Sequence, residues 1–292
     1  MDETWCGVGP IKRVHDAPIL CGIHWLYPWT DSNLFIPYEN TTNRQWYYQP
    51  AFFIGRSVAY FLTWTMLVLF VQSRSAAVAG FSLVLILLSI TWASMDWIMS
   101  FHPFFTSTLL GVIVGAGAML SALAYGLHGY CRSNHKIHEA ALDNVEERAK
   151  SANVLSTMND LSGLLFAFLM IWAYLVFSQF LIMWNGNLPT EAHYYAIRNQ
   201  GGWRFVTPLV AIIGFVVPFC CLLSSRFKRS TRWIGGLAIG LIMLRLAELA
   251  WMILPADDGG NLRRVLLLLP TTGCVLAIGE WRPIGLFNEE PG

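Results

Sequence analysis

The chain has 292 residues, 55% of them hydrophobic and only 13% charged, with a mean hydropathy of +0.49. A water-soluble domain carries about a quarter charged residues, so the composition excludes an ordinary soluble fold. Lys and Arg total 19 against 18 Asp and Glu, and a net charge of +1 does not supply the basic surface that a nucleic-acid partner needs.

Residues 1–50 are polar and aromatic, with Trp25, Trp29, Trp46, Tyr47 and Tyr48. The apolar run 17–27 is too short and too polar to cross a bilayer, and it does not read as a signal peptide. These residues are expected to form an outer, periplasmic tail. Seven apolar segments follow, at 51–71, 76–98, 106–128, 163–184, 205–224, 233–254 and 263–280. About twenty apolar residues in one helix cover the roughly 30 Å hydrocarbon core of a membrane. The fourth segment shows this best: its run ends without a charge at Trp184 and passes into Asn185, Gly186, Asn187, Leu188 and Pro189, which stop a helix where water begins. The fifth carries Pro208 and Pro218, tolerable in a membrane helix when neighbours satisfy the freed carbonyls, and the seventh carries Pro270. The fold expected is therefore an all-α polytopic membrane bundle of about seven helices over 51–280, with a short tail at 281–292. Thirteen Trp residues suit aromatic belts at the two interfaces.

Seven spans put the termini on opposite sides. One side then holds Lys12, Arg13, Arg44, Arg198, Arg204, Arg263 and Arg264; the other holds Arg74, Arg132, Lys136, Arg148, Lys150, Arg226, Lys228, Arg229, Arg232 and Arg282. The second side is the more basic, with four cations in the seven residues 226–232. The positive-inside rule makes it cytoplasmic, so the N-terminus lies outside and the C-terminus inside. The segment 129–160 becomes the largest cytoplasmic loop. Within it, 137–152 mixes acidic and basic residues and reads as a short, solvated surface helix.

The six cysteines lack the spacing of a covalent haem or iron–sulfur site. Cys6 and Cys21 share the outer tail and form a disulfide if that side is oxidising. Cys131 and Cys274 stand alone, and the adjacent Cys220 and Cys221 read as small packing residues. No metal site is expected.

Ionisable residues inside a membrane helix cost roughly 2.5–3.5 kcal/mol on insertion scales and need a reason. Five stand out: Arg56 in the first segment, Asp96 in the second, His102 just after it, and Arg245 with Glu248 in the sixth. The first two segments make a hairpin that can bring Arg56 to Asp96. Arg245 and Glu248, three residues apart, share a helix face. All five fall in the outer half of the membrane, with Asp96 nearer water than Glu248. Two readings stand. The charges are either neutralised pairs that lock helices together, or a polar path for protons and a pocket for a quinol head group. A second group is His128, ending the third segment, and Asp160, opening the fourth. Asp160 either caps that helix or marks the inner mouth of a proton path. Ser178 and Gln179 are polar residues within the fourth segment of the kind that bond across helices.

A series of longer motifs carries a resemblance. Asn159, Asp160, Leu161, Ser162, Gly163 and Leu164 lead into Phe166, Ala167 and Phe168, then Trp172, Ala173 and Tyr174, then Phe177, Ser178, Gln179 and Phe180, ending on the stop sequence at 184–189. Elsewhere stand Phe53, Ile54, Gly55 and Arg56 with Tyr60, Phe61 and Trp64; Asp96, Trp97, Ile98, Met99 and Ser100 with His102; and Gly201, Gly202 and Trp203. Over 15–255 the chain resembles an integral membrane component of alternative complex III, a bacterial quinol:cytochrome c (or other electron acceptor) oxidoreductase. The resemblance implies a helical membrane subunit related to the polysulphide-reductase-type quinol subunits. It implies no haem or iron–sulfur centre in this chain, and haem- and iron–sulfur-bearing partners beside it. Quinol or menaquinol would be the substrate of the complex, and the subunit's role would be to support quinol binding or proton conduction without being the catalytic chain. Family members tend to carry about three more helices upstream, so this sequence reads as an N-terminally short version. They also tend to show His and Lys where this chain has Asn159 and Gly163, while Asp160 is kept. Two other classes remain open from the sequence: a stand-alone proton or ion transporter, which the lack of inverted repeats does little to support, and a membrane scaffold or assembly subunit.

Overall fold

A computed structural model of the chain describes residue 27 and residues 47–71, 75–101, 105–140, 145–186, 194–196, 198–199 and 203–253. Its regular elements are all helical, with no strand among the described residues. Helix α1 is Pro50–Val71 and α2 is Ala76–Trp97, followed by a 3₁₀ turn at Met99–Phe101. Helix α3 is Leu109–Ala140 and α4 is Val145–Gly186. Helix α5 is Trp203–Ala211, a π-helical turn spans Ile212–Val216, and α6 is Val217–Leu223. The one-turn α7 is Ser225–Lys228, and α8 is Thr231–Ile253. Five stretches are long and apolar enough to cross a membrane: Pro50–Leu69, Ala76–Trp97, Leu109–Asn134, Ser151–Gly186 and Thr231–Ile253. They correspond to the first four and the sixth segments read from sequence. The chain is thus a polytopic helical membrane protein by length and apolarity.

The fifth segment differs. It is helical but broken, and its apolar part, Pro208–Leu223, is short of a full span. The cause lies in its prolines. Pro218 has no N–H to give the carbonyl of Gly214 and its ring crowds that carbonyl, so the chain slips register. Val217 N–H accordingly bonds the carbonyl of Ile212, five residues back, which is the π pattern. The seventh segment, 263–280, lies outside the described residues, as do the outer tail apart from Tyr27 and 47–50, and the final tail.

The expected loop at 129–160 is instead mostly helix. Helix α3 runs on to Ala140 and α4 starts at Val145, leaving only 141–144 between them outside the described residues. A helix of 42 residues is about 63 Å long, twice the roughly 30 Å of hydrocarbon. Hydropathy marks only the apolar part of a helix; the Ala-, Glu-, Arg- and Lys-bearing first turns of α4 are good helix formers and continue the same helix beyond it. The isolated surface helix at 137–152 is therefore replaced by the ends of two long ones.

The chain divides into two compact units, residues 1–117 with 174–194, and residues 118–173 with 195–292. In the first, α1 and α2 form the expected hairpin, and the start of α3 packs on α2. Gly111 makes that approach: a Cβ there would lie 2.8 Å from the Cα of Thr91. Small residues at such crossings let helix backbones come together where lipid offers no hydrophobic drive. In the second unit the core is built from Leu120, Leu127, Met158, Leu165, Leu169, Ile234, Ala238 and Leu241, all almost fully buried.

Candidate functional site

Two clusters of buried charge stand out, one in each unit. In the first unit, Asp96 sits near the end of α2 and is 1% exposed. Its carboxylate receives four hydrogen bonds. Arg56 on α1 donates from Nε to Oδ2 at 2.9 Å and from Nη2 to Oδ1 at 3.0 Å. Tyr47 donates its hydroxyl to Oδ1 at 2.7 Å, and Tyr60 donates to Oδ2 at 2.8 Å. The remaining Arg56 branch, Nη1, donates to the Tyr47 carbonyl at 2.9 Å, and the guanidinium lies 3.8 Å from the centre of the Tyr47 ring. An ionised carboxylate accepts about four bonds, so Asp96 is filled. Bidentate pairing with Arg adds geometric definition to the charge. Trp97 donates to Ser57 at 3.0 Å and Trp64 donates to Ser89 at 2.8 Å, while Tyr60, Phe61, Trp64 and Trp97 pack edge to face or stacked around them. Ser100 closes the end of the helix by donating to the Asp96 carbonyl. Tyr47, before the first span, has its hydroxyl pushed up to about 12 by burial and by the hydrogen bond and charge of Asp96.

This arrangement is a lock. Each lone pair of the carboxylate is matched by a donor, and the two Arg56 bonds tie α1 to α2. The expected meeting of Arg56 and Asp96 occurs, and Asp96 and Glu248 are both buried within the protein, at 1% and 7% exposed.

In the second unit, Arg245 and Glu248 lie on one face of α8, both buried. Arg245 Nη1 donates to Glu248 Oε2 at 2.7 Å. Trp172 on α4 donates its indole N–H to Glu248 Oε1 at 3.1 Å, and the same indole ring carries the guanidinium 3.6 Å above its centre. One tryptophan thus satisfies both partners, the carboxylate by its edge and the cation by its face. The pair is nevertheless incomplete. Among the described residues, Arg245 Nε and Nη2 are buried with no hydrogen-bond partner. Nη2 faces Gly214 at the centre of the π turn, where a Cβ would stand 3.1 Å from it. The guanidinium therefore packs against the Gly214 position of the broken helix. Buried polar groups are almost always paired, and π turns recur at functional positions.

The other sequence candidates separate from these clusters. His128 lies in mid-helix, because α3 continues to Ala140; its Nδ1 is 3.2 Å from the carbonyl of Gly235. Asp160 is exposed and fifteen residues inside α4, so it cannot cap that helix. His102 lies outside the described residues. Gln179 does bond across helices, accepting from Ser107 at 2.6 Å, and Ser107 in turn accepts from the N–H of Leu110 at the start of α3. Cys131, Cys220 and Cys221 are free thiols, and Cys6, Cys21 and Cys274 lie outside the described residues. Among the described residues no three His, Cys, Asp or Glu side chains converge as metal ligands would.

Tyr47, Tyr60, Trp172 and Arg198 were not evident as site residues from the sequence. Tyr60, four residues after Arg56, shares its helix face and was findable by that spacing. Trp172 and Arg198 had no local signal. Arg198 is 1% exposed; its Nε donates to the Trp251 carbonyl at 3.2 Å and its Nη2 to the Met252 carbonyl at 2.6 Å. It caps the C-terminal end of α8, where helix carbonyls lack intrahelical donors and a cation suits the dipole.

Comparison with protein-family models and with curated proteins gives no match.

Proposed function

We propose that this chain is a cofactor-free, multi-pass subunit of a respiratory quinol:cytochrome c (or other electron acceptor) oxidoreductase of the alternative complex III type, in a bacterial inner membrane. Its partners are the haem- and iron–sulfur-bearing subunits and a further quinol subunit, and its N-terminal side faces outward. The observation that carries this reading is the incomplete Arg245–Glu248 pair inside a membrane span. A purely structural pair has reason to be filled, as Asp96 is. Here, among the described residues, two guanidinium nitrogens remain for an oxygen acceptor, and Glu248 lies beside them.

The chemistry suits quinol oxidation. Two electrons pass to centres held by other chains, and two protons must leave through protonatable or hydrogen-bonding groups. Arg245 Nε–H and Nη2–H are donors for a quinone or quinol oxygen, or for a water that relays its proton, and the Glu248 carboxylate is the adjacent acceptor. Further support comes from the motif residues. Arg56, Tyr60, Trp64, Asp96, Trp97 and Ser100 build the first cluster, Trp172 holds the second, and Gln179 ties a helix crossing.

The test uses the complex in native membranes. Arg245→Met with Glu248→Leu removes both charges, so no buried ion is left unpaired and the complex is expected to assemble. Quinol turnover, or its coupling to proton movement, is then expected to be lost. Full coupled turnover in the assembled double variant would overturn a polar role for this pair.

A further inference from the structure

The basic turn between α6 and α8 bears on orientation by the positive-inside rule but has no part in the Arg245–Glu248 site. Arg226, Lys228, Arg229 and Arg232 fall within seven residues, with Arg226, Arg229 and Arg232 exposed and Lys228 half-buried. Among the described residues none of the four makes an ion pair. Their own hairpin cannot neutralise them, since residues 203–247 contain no Asp or Glu. Glu248, the first acid reached, is seventeen residues beyond Thr231, about 25 Å along the helix and well past a Debye length of about 8–10 Å. Where α3 meets α8, His128 and Cys131 stand against Gly235, and neither is a carboxylate. On α4, Met158 touches Cys131, and Asp160 two residues further on is exposed.

The turn is compact and fixed. The chain leaves α6 at Ser224 in an extended conformation, and α7 is held by bonds from Lys228 N–H to the Ser224 carbonyl and from Ser230 N–H to the Phe227 carbonyl. Apolar groups stand immediately around the cations. Leu223 is 67% exposed at the end of α6, and Trp233 is 65% exposed in the first turn of α8, its ring 6.3 Å from that of Phe227. Exposed Trp beside clustered Arg, at the junction of two apolar helices, is the composition of a membrane interface.

We propose that this turn binds the phosphodiester head group of an anionic phospholipid. Arg226, Arg229 and Arg232 would face the phosphate with forked donors, Ser225 and Ser230 supply hydroxyls at the same level, and Trp233 and Leu223 lie against the acyl chains. Charge complementarity names the class of occupant: a zwitterionic lipid presents no net charge to four clustered cations that make no ion pair among the described residues, and an anionic one does. The site is independent of the reading of Arg245 and Glu248.

The experiment is native mass spectrometry and thermal unfolding of the purified full chain, in micelles doped with phosphatidylglycerol, with phosphatidylcholine, or with inorganic phosphate alone. Retention of phosphatidylglycerol and a raised unfolding midpoint are expected, with no such response to phosphatidylcholine or to phosphate. Arg226→Gln with Arg229→Gln and Arg232→Gln is expected to weaken retention by roughly fivefold for each cation removed. Equal responses to the two lipids would overturn the proposal, as would an equal response to free phosphate, and this comparison needs only the unaltered protein. Undiminished retention by a folded triple variant would overturn it as well.

Discussion

Asp96→Asn removes one oxygen from a carboxylate that four donors share, two on each oxygen. Whichever way the amide turns, its NH₂ faces one Arg56 N–H and one phenol. The phenol can rotate and accept; the guanidinium has no lone pair to offer. One Arg56 donor is therefore stranded, Nη2–H in one orientation and Nε–H in the other, and the compensating charge is gone. Removing one member of a buried ion pair costs about 3–5 kcal/mol. Arg56 is 14% exposed and keeps the Tyr47 carbonyl and ring, which places the expected loss near the lower end. About 3 kcal/mol is more than a hundredfold in the unfolding constant. Tyr60→Phe leaves three of the four bonds and is expected to cost less, about 1.5 kcal/mol for one bond to a charged group. Unfolding in mixed micelles with increasing dodecyl sulfate, followed by circular dichroism, measures both. Arg56→Met with Asp96→Leu should regain most of the loss, because both charges leave together. Asp96→Asn within about 0.5 kcal/mol of the unaltered protein, the range of an inconsequential surface change, would refute the lock.

Gly214→Ala sets a Cβ against Arg245 Nη2 and is expected to lower stability by about 1–3 kcal/mol for overpacking, less up to about 1 kcal/mol gained in helix propensity. Gly236→Ala meets nothing within 4 Å and is expected to be neutral or stabilising in the same micelle titration. Arg198→Met strips donors from the Trp251 and Met252 carbonyls and should cost about 1–3 kcal/mol, with the amides at the end of α8 exchanging hydrogen faster than in the unaltered protein. The Tyr47 hydroxyl is raised from its ordinary value near 10 to about 12, so its contribution is whole below pH 10 and drains away as pH climbs toward 12. The stability difference between the unaltered protein and Tyr47→Phe should therefore be constant up to pH 10 and shrink above it; a difference that grows there would contradict the assigned donor.

The membrane helices were legible because about twenty apolar residues leave a bilayer few alternatives. The same measure hid the lengths of α3 and α4, since it detects lipid contact and not helix continuity; hence Asp160, read as a helix start, lies deep inside one. The broken fifth segment was foreshadowed by Pro208 and Pro218, although the π register at Gly214 depended on where the strain settled. Both ion pairs followed from hairpin geometry and from i, i+3 spacing. What completes them did not. Trp172 reaches Glu248 across 76 positions and Arg198 reaches Met252 across 54, and no local pattern encodes such contacts.

The proposed role is tested most directly by the company the chain keeps. A tagged copy purified from native membranes in mild detergent, with its companions identified by mass spectrometry and its visible spectrum recorded, decides the matter. Multihaem and iron–sulfur subunits with a second quinol subunit are expected to co-purify, and the chain isolated from them should show no haem band. Recovery of the chain alone from membranes that contain such a complex, or a haem band from the isolated chain, would contradict it.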